Sequence, residues 1–268
     1  MATLASARTR ERVRVLPKGW PDFLLQLGLF AVADLLYEIS RTLAKGDLAV
    51  AFVHARDVVS VEKSIGIFTE LNVQHWALAR PWVLDVANIT YFHAHFAVTT
   101  CFMFWLYLRR NHYYYFVRNI VFSAMAVALI GYVLFPTAPP RMLTDLGFID
   151  TLEKTADVNF NTGAVSLLSN PFAAVPSVHT CFSLIIGASC FFLVRRRAVR
   201  VIWLLYPCLI VFSIVATGNH FWLDAILGAV VAVIAFVIAR AVEQVRPTLP
   251  ASARRRLRLE PQAPSAAA

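Results

Sequence analysis

Six apolar runs, each long enough to thread a hydrocarbon layer, constrain this chain more than any other feature. They cover residues 23–39, 86–108, 114–135, 177–194, 199–216 and 221–239, and about 20 helical residues suffice for one crossing. Inside a bilayer no water is available to bond backbone N–H and C=O groups, so such runs must satisfy them internally as helices. The expected fold class is all-α, a polytopic membrane helix bundle with six transmembrane helices.

Lysine and arginine orient the bundle, because they accumulate on the cytoplasmic side. One side receives Arg8, Arg10, Arg12, Arg14 and Lys18, then Arg109, Arg110 and Arg118. It also receives Arg195, Arg196, Arg197, Arg200 and Arg240, then Arg246, Arg254, Arg255, Arg256 and Arg258, making 18 of the 25 basic residues. Both termini are therefore expected in the cytoplasm. Three regions result: a basic N-terminal segment at 1–21, a six-span domain at 22–245 and a disordered basic tail at 246–268. Low apolar content argues for disorder in the tail, and its charges suit anionic headgroups at about 1 kcal/mol each.

Composition excludes the main alternatives. The chain is 59% hydrophobic and 15% charged, against about 25% charged in ordinary soluble domains. Its net charge of +9 does not imply a nucleic-acid partner, because the basic residues lie in blocks between apolar runs. The arginine-rich residues 1–15 look like a transit peptide, yet the matching blocks elsewhere favour a cytoplasmic flank to the first span. Cys101, Cys181, Cys190 and Cys208 fall within the apolar runs without metal-ligand spacing, and no metal or cofactor is expected. Arginine in excess of lysine with abundant alanine suits a GC-rich bacterium, hence a plasma membrane.

Two long connections lie on the non-cytoplasmic side. The first, residues 40–85, carries Glu62 and Lys63 and an amphipathic stretch at 64–78. The second, residues 136–176, has no strong periodicity. Structureless loops beyond about 12–15 residues are uncommon unless functional, and an interfacial lid over a membrane site is expected of both.

Polar motifs stand where apolar runs begin or end, all at that same face. His220 and Asp224 are four apart at the start of the last run and share one helical face. A carboxylate there can accept the imidazole Nδ1 proton, which fixes the tautomer and leaves Nε2 for chemistry. Ionisable residues at membrane depth mark a site by default. His179 opens the fourth run behind Pro176 and Ser177, with Ser177 a candidate helix cap. Free N–H groups at that helix end favour a phosphate oxygen, and a second imidazole can protonate a departing alkoxide. Arg141, stiffened by Pro139 and Pro140, carries a guanidinium suited to phosphate. His93 and His95 stand two apart on the second run and face different ways. One of them reaches the site; neither joins the core assignment.

Taken together, Pro176-Ser177-Val178-His179 and His220-x-x-x-Asp224 resemble the signature of the type 2 phosphatidic acid phosphatase superfamily. The stretches from Pro136 to Arg141, Val175 to His179 and Thr217 to His220 resemble its inositol phosphotransferase branch, which includes inositol phosphorylceramide synthases. The resemblance implies a metal-independent enzyme in which His220 is a nucleophile forming a phosphohistidine. Asp224 would support it, His179 would protonate the leaving group and later activate the acceptor, and Arg141 with Ser177 would hold the phosphate.

Two departures accompany the resemblance. Leu134 stands where the first motif has lysine, and Ser213 is followed by Ile214 where the third motif has Ser-Arg. Charge compensation then falls to Arg141, to Lys63 or Lys154, or to backbone donors. Water as acceptor makes a lipid phosphatase acting on a lipid phosphate or diphosphate. Inositol or another alcohol makes a phosphotransferase, and membrane lipids surround either. A lipid transporter or scramblase is the alternative from another class, but its polar residues belong near the midplane. Here they gather at one face.

Overall fold

A computed structural model describes residues 16–44, 48–151 and 174–245. The arginine-rich residues 1–15, Lys154 and the tail expected to be disordered at 246–268 lie outside the described residues. Among the described residues the chain is helix and turn, with no strand.

In chain order the α-helices are α1 (Gly19–Ala44), α2 (Leu48–Ser64), α3 (Glu70–Leu78), α4 (Pro81–Ile89) and α5 (His95–Arg109). They continue with α6 (Asn111–Leu134), α7 (Val178–Leu193), α8 (Arg197–Ala216) and α9 (Trp222–Val245). A π turn, Thr90–Ala94, joins α4 to α5, and two 3₁₀ turns, Pro140–Met142 and Thr144–Leu146, come after α6. Every apolar run falls on helix. Four helices, α1, α6, α8 and α9, are long and apolar enough to cross a membrane by length and composition. α7 is apolar but has only 16 residues, and the run at 86–108 is interrupted by the π turn.

The first long connection is not an irregular loop. It folds as α2 and α3, with the expected amphipathic stretch at 64–78 broken by turns between them. Its buried polar residues explain why periodicity conceals the helices: Glu62, Glu70 and Gln74 point inward to backbone groups of other elements.

Packing centres on α7, which lies against α8 and α9, while α9 also packs on α6. Buried Phe102, Leu106, Ile120, Ala124, Ile186 and Ala235 make one core from α5, α6, α7 and α9. Pro207 lies inside α8 and has no N–H for the Trp203 carbonyl one turn back. Gly187 of α7 meets that carbonyl, and a Cβ there would come within 2.7 Å of it. The glycine therefore lets α7 and α8 run flush. α1 is pinned at one end, where Asp22 accepts hydrogen bonds from Tyr107 at 2.9 Å and Tyr115 at 2.7 Å. A second buried cluster, with Ala55, Val59, Ala138, Leu143 and Phe221, joins α2 to the segments around the site.

Candidate active site

The chain reverses sharply between α8 and α9, and glycine makes the reversal available. Gly218 has φ +68°, a left-handed conformation in which side chains are strained. The N–H groups of Asn219 and His220 both donate to the Ile214 carbonyl, at 2.9 and 3.1 Å. A Cβ on Gly218 would come within 2.6 Å of the Gln74 amide, so two constraints select glycine. The turn delivers His220 to the mouth of α9.

There, His220 Nδ1 lies 3.2 Å from Asp224 Oδ2. The same carboxylate oxygen accepts the Phe221 N–H at 2.9 Å, so Asp224 orients the imidazole while satisfying the helix end. Both residues are buried. Burial, reinforced by the Arg141 charge, pushes the His220 imidazole down to about 3, with a hydrogen bond to the Ala174 backbone opposing it in part. Burial thus favours the neutral form of the ring.

His179 comes from the first turn of α7, which Ser177 caps: its Oγ accepts from the Thr180 N–H at 3.4 Å. The Ser177 N–H donates to the Asp224 carbonyl at 3.1 Å, tying the start of α7 to the start of α9. Gly228 permits the approach, since a Cβ at that position would be driven into the Ser177 carbonyl. As a result the His179 and His220 ring centroids are 5.4 Å apart. His179 Nδ1 is buried with no hydrogen-bond partner among the described residues.

Arg141 arrives from the 3₁₀ turn. Its N–H donates to the Gly218 carbonyl at 2.8 Å, its guanidinium donates to Asn219 Oδ1, and Nε pairs with Asp150 at 2.9 Å. The guanidinium is thus fixed to the residue that precedes His220. Asp150 is held in turn by its neighbours. The Gln74 amide bonds both the N–H and the carbonyl of Ile149, at 3.0 and 2.9 Å, and Thr151 donates to Asn88 at 3.0 Å.

All five residues singled out in the sequence therefore meet in one region: His179, His220 and Asp224 directly, Arg141 through Asn219, and Ser177 as the cap and tether of α7. Lys63 is directed elsewhere, with Nζ 5.0 Å from the Phe68 ring centroid.

Of the two histidines left outside the core assignment, His95 is the one that reaches the site, and further groups join it there. The His95 ring is 4.9 Å from that of His179, and its Nδ1 lies 3.1 Å from the Tyr206 hydroxyl. Tyr91 closes the same corner, 4.8 Å from the His179 ring. His93 instead meets Phe92 edge-on. A π turn inserts one residue relative to α-helical spacing and rotates the rest of the helix by about 100°. Counting at α-helical spacing therefore could not tell which histidine turns inward. Asp150 carries no signature beyond its residue type, and Asn219 stands inside the Thr217 to His220 motif without a role of its own.

A family model described as the PAP2 superfamily matches residues 56–238, a stretch that includes all five expected residues. No curated protein and no solved structure matches the chain.

Proposed function

The chain belongs to the PAP2 superfamily, and we propose from that premise that it is an integral membrane lipid-phosphate phosphatase or phosphotransferase working through a phosphohistidine. Proteins of this superfamily are generally phosphatases and phosphotransferases acting on lipid phosphates. The observation that carries the finer proposal is the convergence of a carboxylate-oriented His220 with His179, beside a guanidinium anchored one residue away.

A lipid-linked phosphate enters from the bilayer with its oxygens toward Arg141. His220 Nε2 attacks phosphorus, the bond to the lipid oxygen breaks, and His179 supplies the proton that the departing alkoxide takes. Asp224 stabilises the cationic ring of the intermediate. His179, now neutral, removes a proton from the acceptor as its oxygen attacks phosphorus. The P–N bond breaks and His220 returns to its neutral state. Covalent catalysis of this form divides one difficult displacement into two easier ones. Positive charge and helix-end donors at α7 stabilise the equatorial oxygens, with Ser177 at that helix start. No step requires a metal ion.

The same proposal places six spans in the membrane, both termini in the cytoplasm and the site at the non-cytoplasmic face of a plasma membrane. The basic residues beside α1, between α5 and α6, between α7 and α8 and after α9 support this orientation. With inositol as acceptor or as part of the transferred head group, the product is an inositol phospholipid. The motifs around Arg141, His179 and His220 favour that second reading.

A product assay on several lipid phosphates, with and without free inositol, tests the proposal. Inorganic phosphate identifies hydrolysis, and a new phosphodiester identifies transfer. Folded protein that scrambles lipid between leaflets without turning over any lipid phosphate would assign it to a transporter instead.

A further inference from the structure

The first turn of α9 is gripped from outside by two acids that the reaction above does not use. Glu62 of α2 and Glu70 of α3 have no solvent exposure. Glu62 Oε1 accepts the Leu223 N–H at 2.7 Å, and Glu70 Oε1 accepts the Trp222 N–H at 3.0 Å. With Phe221 bound to Asp224 at 2.9 Å, three successive backbone donors end on three carboxyl groups. All three side chains that accept these donors are acids.

The second oxygens of Glu62 and Glu70 have no donor among the described residues. Neither basic side chain on α2 near them is available: Lys63 lies over Phe68, and Arg56 pairs with Asp145 at 3.0 Å. The ionisable groups facing Glu62 are Glu70 from α3 and Asp224 from α9, with His220 beyond Asp224. Two buried carboxylates facing a third cannot all carry charge, and like-charged acids in one site resolve the conflict by keeping a proton. A proton between the two carboxyls satisfies both orphan oxygens.

We infer that Glu62 and Glu70 are positioning residues for the His220–Asp224 pair, a carboxyl couple that shares one proton and fixes the first turn of α9 through its backbone. Consistent with this, burial together with the hydrogen bond to Glu70 pushes the Glu62 carboxyl up to about 9. The effect on rate rests on His220 being the nucleophile; the shared proton does not.

The sign of the pH effect is set by where the proton resides. An unfolded glutamate releases it near 4.5 and native Glu62 near 9, so the native state holds the extra proton between those values. Stability then falls as pH rises toward 9. The test uses the full chain in detergent, comparing wild type with Glu62→Gln and Glu62→Ala by thermal unfolding and by kcat and KM on a lipid phosphate, from pH 7 to 10. Glutamine mimics the protonated acid, so E62Q is expected to show a flatter Tm profile. Its kcat is expected to fall less than that of E62A and to lack the wild-type alkaline decline. E62A is expected to lose at least 10-fold in kcat, with KM changed less than 3-fold. Superimposable Tm profiles for wild type and E62Q overturn the shared proton, and this arm needs no turnover. Unchanged kcat in E62A overturns the positioning role. If E62A does not fold, an alkaline limb of kcat identical in E62Q and wild type does so instead.

Discussion

Asp224 Oδ2 serves two partners at once, His220 Nδ1 at 3.2 Å and the Phe221 N–H at 2.9 Å. The carboxylate that aims the ring is thereby locked by the backbone of its own helix mouth. Orientation of the imidazole and integrity of the α9 start are one property, which gives each substitution here two consequences.

Replacing His220 with Ala removes the nitrogen proposed to attack phosphorus. Turnover is expected to vanish, and a rapid quench with labelled lipid phosphate should trap acid-labile label on wild type but not on the variant. Asp224→Asn keeps the shape but loses the charge and supports the wrong tautomer. A loss on the order of 10⁴-fold in kcat is the precedent for that change in a hydrolytic triad. Label trapped on H220A would end the assignment.

His179→Ala should be selective. General acid catalysis contributes about 10²–10⁴-fold when the leaving group needs a proton, so lipid alkoxides suffer most and nitrophenolate esters least. Equal losses across a leaving-group series would count against the role. Steady-state kcat/KM on both substrate types is the measurement.

Acid should destabilise the native state through His220. Its imidazole titrates near 3 when folded and near 6.5 otherwise, so the unfolded chain binds the extra proton between those values. Stability is present above about 6.5 and is lost as pH falls toward 3. The Tm in detergent should drop through this window in wild type and drop less in His220→Asn. Parallel curves would show that the ring is not held neutral.

Gly228→Ala should harm both fold and rate, because the added carbon is driven into the Ser177 carbonyl and separates α9 from α7. Overpacking of this kind costs about 1–3 kcal/mol. Gly28→Ala in α1 is the control: a Cβ there meets nothing within 4 Å, and helix propensity favours alanine by about 0.5–1 kcal/mol. Differential unfolding of the two variants, with kcat for each, checks the contrast.

How much the sequence disclosed depends on how each interaction is written into it. Helices around the bilayer were visible because an apolar run is a continuous local signal, and His220 with Asp224 because one helical turn separates them. α2 and α3 were hidden by Glu62, Glu70 and Gln74, polar residues that bond backbone 75–161 positions away. Nothing local distinguishes an acid bound for such a partner from one facing water. His95 was obscured differently, by the π turn that changes the helical register just before it. Asp150 depends on Arg141, Gln74 and Thr151 being brought together, which only the folded chain reveals.

The backbone hydrogen bond from the Ser177 N–H to the Asp224 carbonyl has a mechanical consequence. Because this bond fastens α7 to α9 beside His179 and His220, any relative tilting of the two helices would have to turn about that fastening. Displacement is then smallest at the hinge point and largest at the far ends of the rods. His179 and His220 sit beside that point of least displacement.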